Sequence, residues 1–246
     1  MDHETFEQLL DGVRRFVNDR LIPLEAKVSE EDAIPADALA EMRALGLFGI
    51  SIPEEFGGLG LTMEEECRTM FEFCRCSPAF RSAFGTNVGI GSQGLVMFGT
   101  AAQKDKWLPG IASGDVVTSF ALTEPEAGSD SGAVRTKAER DGNEYVLNGT
   151  KRYITNANRA SIFTVMARTN QDAKGGSGVS AFLVPSDLKG VSVGKPEKKM
   201  GQQGAHICDV NFDNVRVPAD LRLGDEGQGF RIAMQVLDRG RLHISS

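Results

Sequence analysis

Residues Phe120 to Gly132 read FALTEPEAGSDSG, an apolar strand end running into a turn dense in hydroxyls, carboxylates and glycine. Backbone N–H groups and hydroxyls gathered in such a turn suit a pyrophosphate, or the polar edge of a flavin ring, better than a hydrophobic core. Pro125, Gly128 and Gly132 stop any regular element and let backbone amides approach a bound group, while Thr123 and Ser129 add hydroxyl donors. The bland alternative is a polar surface turn. A second candidate is Tyr153-Ile154-Thr155-Asn156 at a strand end, where an aromatic followed by a hydroxyl could face a planar ring; an ordinary strand aromatic is the alternative. Glu124, Glu126 and Asp130 are the acids of the first turn. Acids beside a pyrophosphate would repel it unless turned outward, which argues against proton chemistry there.

The elements that must position these residues follow from periodicity. Phe6, Leu9, Leu10, Val13, Phe16 and Val17 recur at helical spacing, with Pro23 expected to end that helix. A second helix is expected from Pro35, turning Ala38, Leu39, Met42 and Leu45 inward and stopping at Gly46. Thr62 with Glu65, and Thr100 with Gln103, are capping-box patterns; the first opens a helix expected to bury Met63, Cys67, Met70, Phe71 and Cys74. After Gly114 the period becomes alternating. Val116, Val117, Phe120 and Leu122 read as a short buried strand, and Asp141-Gly142 and Asn148-Gly149 as hairpin turns. Segments 161–167, 179–184 and 207–217 continue the strands up to Pro218. Helical spacing returns with Phe230, Ala233, Met234 and Leu237, and it continues to Ser246 without a glycine cap or proline stop, so the sequence reads as ending inside a helix. The expected fold class is α+β multidomain. An all-α N-terminal domain (1–115) precedes an antiparallel β-barrel or sandwich-like domain (116–226), then the first helix of a truncated C-terminal helical bundle (227–246).

Composition narrows the function classes. At 246 residues and 41% hydrophobic content the chain can bury a sizeable core. A formal net charge of -7 argues against nucleic acid or an anionic membrane as partner, since both need basic patches. The acid-containing start MDHETFEQLLDGVRRF resembles neither a secretory signal nor a transit peptide, which makes the cytoplasm the default location. Cys67, Cys74, Cys76 and Cys208 lack metal spacing and read as buried or partly buried free thiols; with His3, His206 and His243 scattered, no metal site is expected. Gly89, Gly91 and Gly94 spell a GxGxxG dinucleotide pattern with Asp115 downstream, but no parallel strand precedes it, so close helix packing is the better reading. A GKS/GKT phosphate loop and a GxSxG elbow are both lacking.

Ala121, Leu122, Thr123, Glu124, Gly128, Ser129, Asp130 and Gly132 resemble the acyl-CoA dehydrogenase signature. Segments similar to that family flank it in the usual order, at residues 45–61, 99–114, 147–157 and 224–241. The resemblance implies FAD as cofactor, an acyl-CoA thioester as substrate, and an electron-transfer flavoprotein as electron acceptor. It further implies a homotetramer at full length. Phe120, Leu122, Thr123, Gly128 and Ser129 would then contact FAD, with Ser129 on the pyrophosphate or the CoA ester side. Tyr153, standing where the family often has Trp, would pack on the flavin ring with Ile154, and Thr155 would hydrogen-bond near flavin N5. Asp238 and Arg241 match an acyl-CoA-contacting run whose alternative is a solvated helix pair. Two positions depart from the family: Gly240 stands where some members carry a catalytic Glu, and Gln203 where Arg is common. The base is therefore expected in the family's C-terminal domain. Alternatives are a non-catalytic flavin- or acyl-CoA-binding or interaction module, and a related flavin oxidase.

Overall fold

The computed structural model describes residues 1–245; Ser246 and the side chain of His243 lie outside the described residues, and with them the expected end of the last helical pattern. The chain opens with helices α1 (His3–Phe16), α2 (Ile22–Glu31), α3 (Ala36–Ala44), α4 (Met63–Phe73), α5 (Pro78–Val88), α6 (Gln93–Phe98) and α7 (Ala101–Ser113). Both capping boxes form, at Thr62/Glu65 and Thr100/Gln103. Gly46 takes the left-handed conformation after α3, whose inner face buries Ala38 and Met42.

Two expectations for this half are corrected. Pro23 does not end the first helix, because a wide turn at Val17–Leu21 carries α1 into α2 and puts Pro23 in the first turn of α2, where a missing N–H costs nothing. The inward face of α4 is Glu66, Thr69, Met70 and Phe73, while Phe71 is 63% exposed and Cys74 is exposed. The apolar count misled there because the inward stripe includes a charged residue. Glu66 is buried and ion-paired to Arg239 of the last helix.

Strands β1 (Thr118–Ala121), β2 (Lys137–Asp141), β3 (Glu144–Thr155), β4 (Ile162–Arg168), β5 (Val179–Pro185), β6 (Val191–Val193), β7 (Ile207–Pro218) and β8 (Arg222–Leu223) form one sheet, followed by α8 (Gly229–Ser245). Their order is β6-β7-β3-β2-β4-β5-β8, with β1 added along β4. Pairing is mainly antiparallel, as expected, but β1 runs parallel to β4 and β2 touches β4 in parallel at Lys137 and Arg168. The Asp141-Gly142 hairpin joins β2 to β3. Asn148-Gly149 does not turn. It lies inside β3, at a register break against β7, with Gly149 at φ +153° and a Cβ position only 2.5 Å from Thr136 Oγ1. The glycine there serves a bulge beneath a close-packed neighbour, which gives the same dipeptide as a hairpin.

The first core gathers α1 to α5 around Phe48, Phe73, Phe80 and Phe84. The second is the sheet core, and it also takes in Leu95, Leu108 and Ile111 of α6 and α7 and Ile232, Ala233 and Val236 of α8. The later helices therefore pack on the sheet. Among the described residues no helix is long and apolar enough to cross a membrane.

Burial pushes the Glu66 carboxyl up to about 7, against the pull of Arg239. A raised carboxyl favours the fold when protonated, so this contribution is complete below the ordinary value of 4.5 and is lost as pH rises through about 7. Relative to E66Q, the wild type should gain on the order of 3 kcal/mol between pH 8 and pH 4.5 in chemical denaturation. A pH-independent difference between the two would contradict this.

Candidate functional site

Strand β1 ends at the turn that carries the candidate cradle, and the turn is held from within. Glu124 is 6% exposed, and Glu124 and Ala127 bond to each other across a tight loop. One Glu124 oxygen accepts from Arg135 N at 2.7 Å. The other accepts from Thr136 N at 2.9 Å and from Lys151 Nζ at 2.7 Å. Lys151 lies fully buried on β3 and also donates to Leu122 O at 3.0 Å. Burial pushes the Glu124 carboxyl up, but Lys151 and the amides outweigh it and hold the group below its ordinary value. Burial brings the Lys151 amine down to about 8, against the pull of Glu124. At neutral pH the pair is ionic and every Glu124 oxygen is occupied, which removes Glu124 as a proton acceptor.

The adjacent Arg152 N donates to Thr123 O at 2.8 Å, so β3 grips the turn at consecutive residues. Beyond this grip the register of β3 against β7 breaks between Lys151 and Ile154. Tyr153 sits in the break at φ +58°, a conformation that costs a bulky residue about 1–3 kcal/mol. The break turns its ring outward, 55% exposed, with the Arg152 guanidinium 5.2 Å from the ring centroid. Ile154 is buried again, and Thr155 O accepts from Ser119 Oγ of β1 at 2.7 Å.

Thr155 also forms part of the wall of a cavity of about 330 Å³ between α5, the end of β3 and α8. The α5 wall presents Arg81, Ser82, Gly85, Thr86 and Gly89, and the α8 wall Leu237, Gly240, Arg241 and Ile244. Asn156, buried and at φ +60°, fixes this geometry: its amide donates to Ser82 O at 2.7 Å and to Thr86 Oγ1 at 2.9 Å. Asn87 ties the same helix to β1, accepting from Thr118 N at 3.0 Å. Gly91 packs where a Cβ would lie 2.4 Å from Thr118 Oγ1, between α5 and α6, so the GxGxxG pattern is helix packing with no preceding strand.

Of the sequence-selected residues, Thr155 and Arg241 meet at this cavity. Phe120 and Leu122 are buried just before the turn, and Thr123 is half-buried. Gly128 and Ser129 are exposed at the turn and do not line the cavity; nothing lies within 4 Å of a Cβ built on Gly128, so its backbone is open to an approaching group. Asp238 is exposed and ion-paired to Arg241. Glu126 pairs with Arg135 on the surface. An open turn backbone, an outward aromatic face and a strand-end hydroxyl together fit a planar, pyrophosphate-bearing cofactor.

Sequence reasoning missed Lys151, Arg81 and Arg168, and it named Asn156 only as the end of the candidate segment, without a role. Arg168 braces the turn from behind, donating to Val134 O at 2.8 Å, Gly132 O at 2.9 Å and Gly175 O at 3.0 Å. A signal existed for Lys151, because Tyr145 and Leu147 face inward and alternation puts residue 151 on their side.

The family model described as "Acyl-CoA dehydrogenase, N-terminal domain" matches residues 3–115, and that described as "Acyl-CoA dehydrogenase, middle domain" matches residues 119–215. Human mitochondrial short-chain specific acyl-CoA dehydrogenase is 40% identical over 243 residues, which are 99% of this chain and 59% of that protein. Butyryl-CoA dehydrogenase from Megasphaera elsdenii is similar in structure, with a TM-score of 0.93 at 31% identity over 100% of this chain and 66% of that one. A chain in the structure of the electron transferring flavoprotein of Acidaminococcus fermentans gives a TM-score of 0.93 at 34% identity, covering 100% of this chain and 65% of that one. The chain thus spans roughly three fifths of the length of the relative it matches in humans.

Removing one partner of a buried ion pair leaves the other charge uncompensated. K151M should therefore lose about 3–5 kcal/mol in urea denaturation, and the E124Q/K151M double variant should regain much of it. Equal losses in the single and double variants would show that the pair does not hold the turn.

Proposed function

The chain belongs to the acyl-CoA dehydrogenase family, and on that footing we propose that the whole protein carries out FAD-dependent α,β-dehydrogenation of an acyl-CoA thioester to the trans-2-enoyl-CoA. The observation that carries this reading is the cavity of about 330 Å³ that opens against Thr155, within one strand of the open turn. FAD would be held by Phe120, Leu122, Thr123, Gly128 and Ser129 on one side and Tyr153, Ile154 and Thr155 on the other. When bound it supplies the hydride acceptor.

The remaining work falls to this chain's own side chains. Ile90, Leu237 and Ile244 exclude water from the acyl group, and the Thr155 wall, fixed by Ser119 and Asn156, orients it. Arg241, with Asp238 holding it, stands at the α8 side for the thioester portion. No Asp or Glu among the described residues lines the cavity, and Gly240 occupies the place where some family members carry Glu. The α proton must pass to a carboxylate that these residues do not supply. The 246-residue chain tested by itself is therefore expected to form no enoyl-CoA.

Several finer readings rest on the same footing. An electron-transfer flavoprotein would take the electrons, and the exposed Phe71 and Leu242 are apolar surface that a homotetramer would cover. A cytoplasmic location, a part in fatty acid metabolism, and the division into residues 1–115, 116–226 and 227–246 are proposed alongside; the separate core of α1 to α5 supports the first unit, while the sheet core extends into α6, α7 and α8 across both boundaries.

Anaerobic addition of a short acyl-CoA to the full-length, flavin-loaded protein should bleach the flavin, with slow reoxidation by oxygen. Rapid reoxidation would assign an oxidase, and no bleaching by any acyl-CoA would overturn the reading. Y153A should weaken FAD retention by about 1 kcal/mol, roughly fivefold in affinity, measured by flavin-to-protein ratio after dilution.

A further inference from the structure

The Glu124–Lys151 pair ties the start of the 120–132 turn to β3, but it does not reach α8, which forms the opposite wall of the cavity. The far end of the turn is tied by another residue. Arg168, the last residue of β4, donates from Nε to Val134 O at 2.8 Å and from Nη2 to Gly132 O at 2.9 Å. The same guanidinium donates to Ala173 O at 3.1 Å and to Gly175 O at 3.0 Å, both in the loop between β4 and β5. Its backbone N–H goes to Thr136 O at 2.7 Å. A planar guanidinium, with its donors in a fixed fork, holds these four carbonyls at set spacing, which a rotatable ammonium does not.

The second loop is in turn seated against α8. A Cβ on Gly176 would lie 2.3 Å from Phe230 Cγ, so Phe230, in the first turn of α8, rests directly on the loop backbone. Beside it Gly229 packs on β5, with a Cβ position 2.3 Å from Ser180 C, and Gly227 N donates to Ser180 Oγ at 2.8 Å. The helix then runs on to Leu237, Gly240 and Arg241 at the cavity. Turn, Arg168, loop and α8 are thus a continuous line of contacts from the open turn to the acyl wall.

On the reading that FAD lies at the turn and the acyl group in the cavity, on which this inference rests, we infer that Arg168 is a positioning residue for hydride transfer. It acts through the two loops, setting the spacing between the turn that holds the flavin and the helix that walls the acyl group. In the step concerned the β C–H bond breaks and the hydrogen leaves with its electron pair for oxidised FAD, while the α proton passes to the carboxylate that these residues do not supply. That transfer is steep in distance: a misplacement of about 1 Å costs on the order of 100-fold in rate. Each ligand keeps its own wall, so its affinity changes little. Arg168 is half-buried, so water reaches the four carbonyls when the guanidinium is removed, and the fold survives with the spacing relaxed.

The test uses the full-length, flavin-loaded protein and a saturating concentration of the straight-chain acyl-CoA that bleaches the wild type fastest. R168Q should slow anaerobic bleaching by about 10- to 100-fold. The dissociation constants of FAD and of the matching non-oxidisable CoA thioether should stay within about threefold, far less than the rate effect. A substrate deuterated at the β carbon should keep its isotope effect on bleaching, marking hydride transfer as the slowed step. R168K, with a charge but no fork, should recover part of the rate. G176A, which displaces Phe230 from the loop and leaves Arg168 in place, should slow bleaching in the same way. If R168Q does not unfold cooperatively in urea, R168K and G176A carry the same expectation. Bleaching at the wild-type rate in R168Q or G176A overturns the inference and leaves the dehydrogenase reading standing. A parallel loss of rate and of both affinities also overturns it, because Arg168 would then only hold the binding walls together. A wild type bleached by no acyl-CoA removes the reading beneath, and the inference falls with it.

Discussion

The buried ion pair between Glu124 and Lys151 is the constraint on which the candidate site depends. A lysine on an inner strand position and a glutamate in a turn are each unfavourable inside a protein, and each is made tolerable by the other and by backbone partners. The consequence is geometric. The pair joins the turn after β1 to β3 at the residue before Arg152, whose own amide bonds Thr123. From that anchor the register of β3 breaks, Tyr153 swings outward, and Thr155 returns to the cavity. A turn free to move relative to β3 would lose the relation between the open backbone at Gly128 and the aromatic face at Tyr153.

A second set of ties brings the helical part to the same place. Asn87 and Asn156 are buried amides that spend their hydrogen bonds across elements, the first from α5 to β1 and to Ile111 O, the second from the end of β3 to α5. Each replaces a contact that apolar packing would leave free to slide with one of fixed direction. On the far side, Glu66 and Arg239 join α4 to α8, adjacent to Gly240 on the cavity wall. The cavity is thus bounded by three elements, each fixed by a polar contact of its own.

The architecture was largely legible in the sequence, because helical spacing, capping boxes and the switch to alternation are local signals. The turn at 120–132 and the strand end at 153–155 stand out as candidate chemistry on local signals of the same kind. What failed was long-range. Pro23 reads as a stop, yet a widened turn before it lets the helix continue. Asn148-Gly149 is the strongest short hairpin signal, but Gly149 was needed for a close approach to Thr136 inside one long strand. Phe71 outweighed Glu66 in the count of apolar residues, since nothing local announces that Arg239, far along the chain, neutralises the buried acid. Arg81 escaped notice because a lone arginine on a helix reads as solvated, and only the meeting of α5, β3 and α8 makes it part of a cavity.

The central claim is that the space between α5, β3 and α8, at Thr155, is where the acyl group meets the flavin. A crystal structure of the full-length protein with FAD and a non-oxidisable acyl-CoA analogue tests it most directly. The account predicts the flavin ring between the 120–132 turn and Tyr153 to Thr155, with the acyl group entering the cavity alongside Arg81, Thr86 and Gly240. Acyl density elsewhere, with this cavity empty or filled by a side chain, would contradict it.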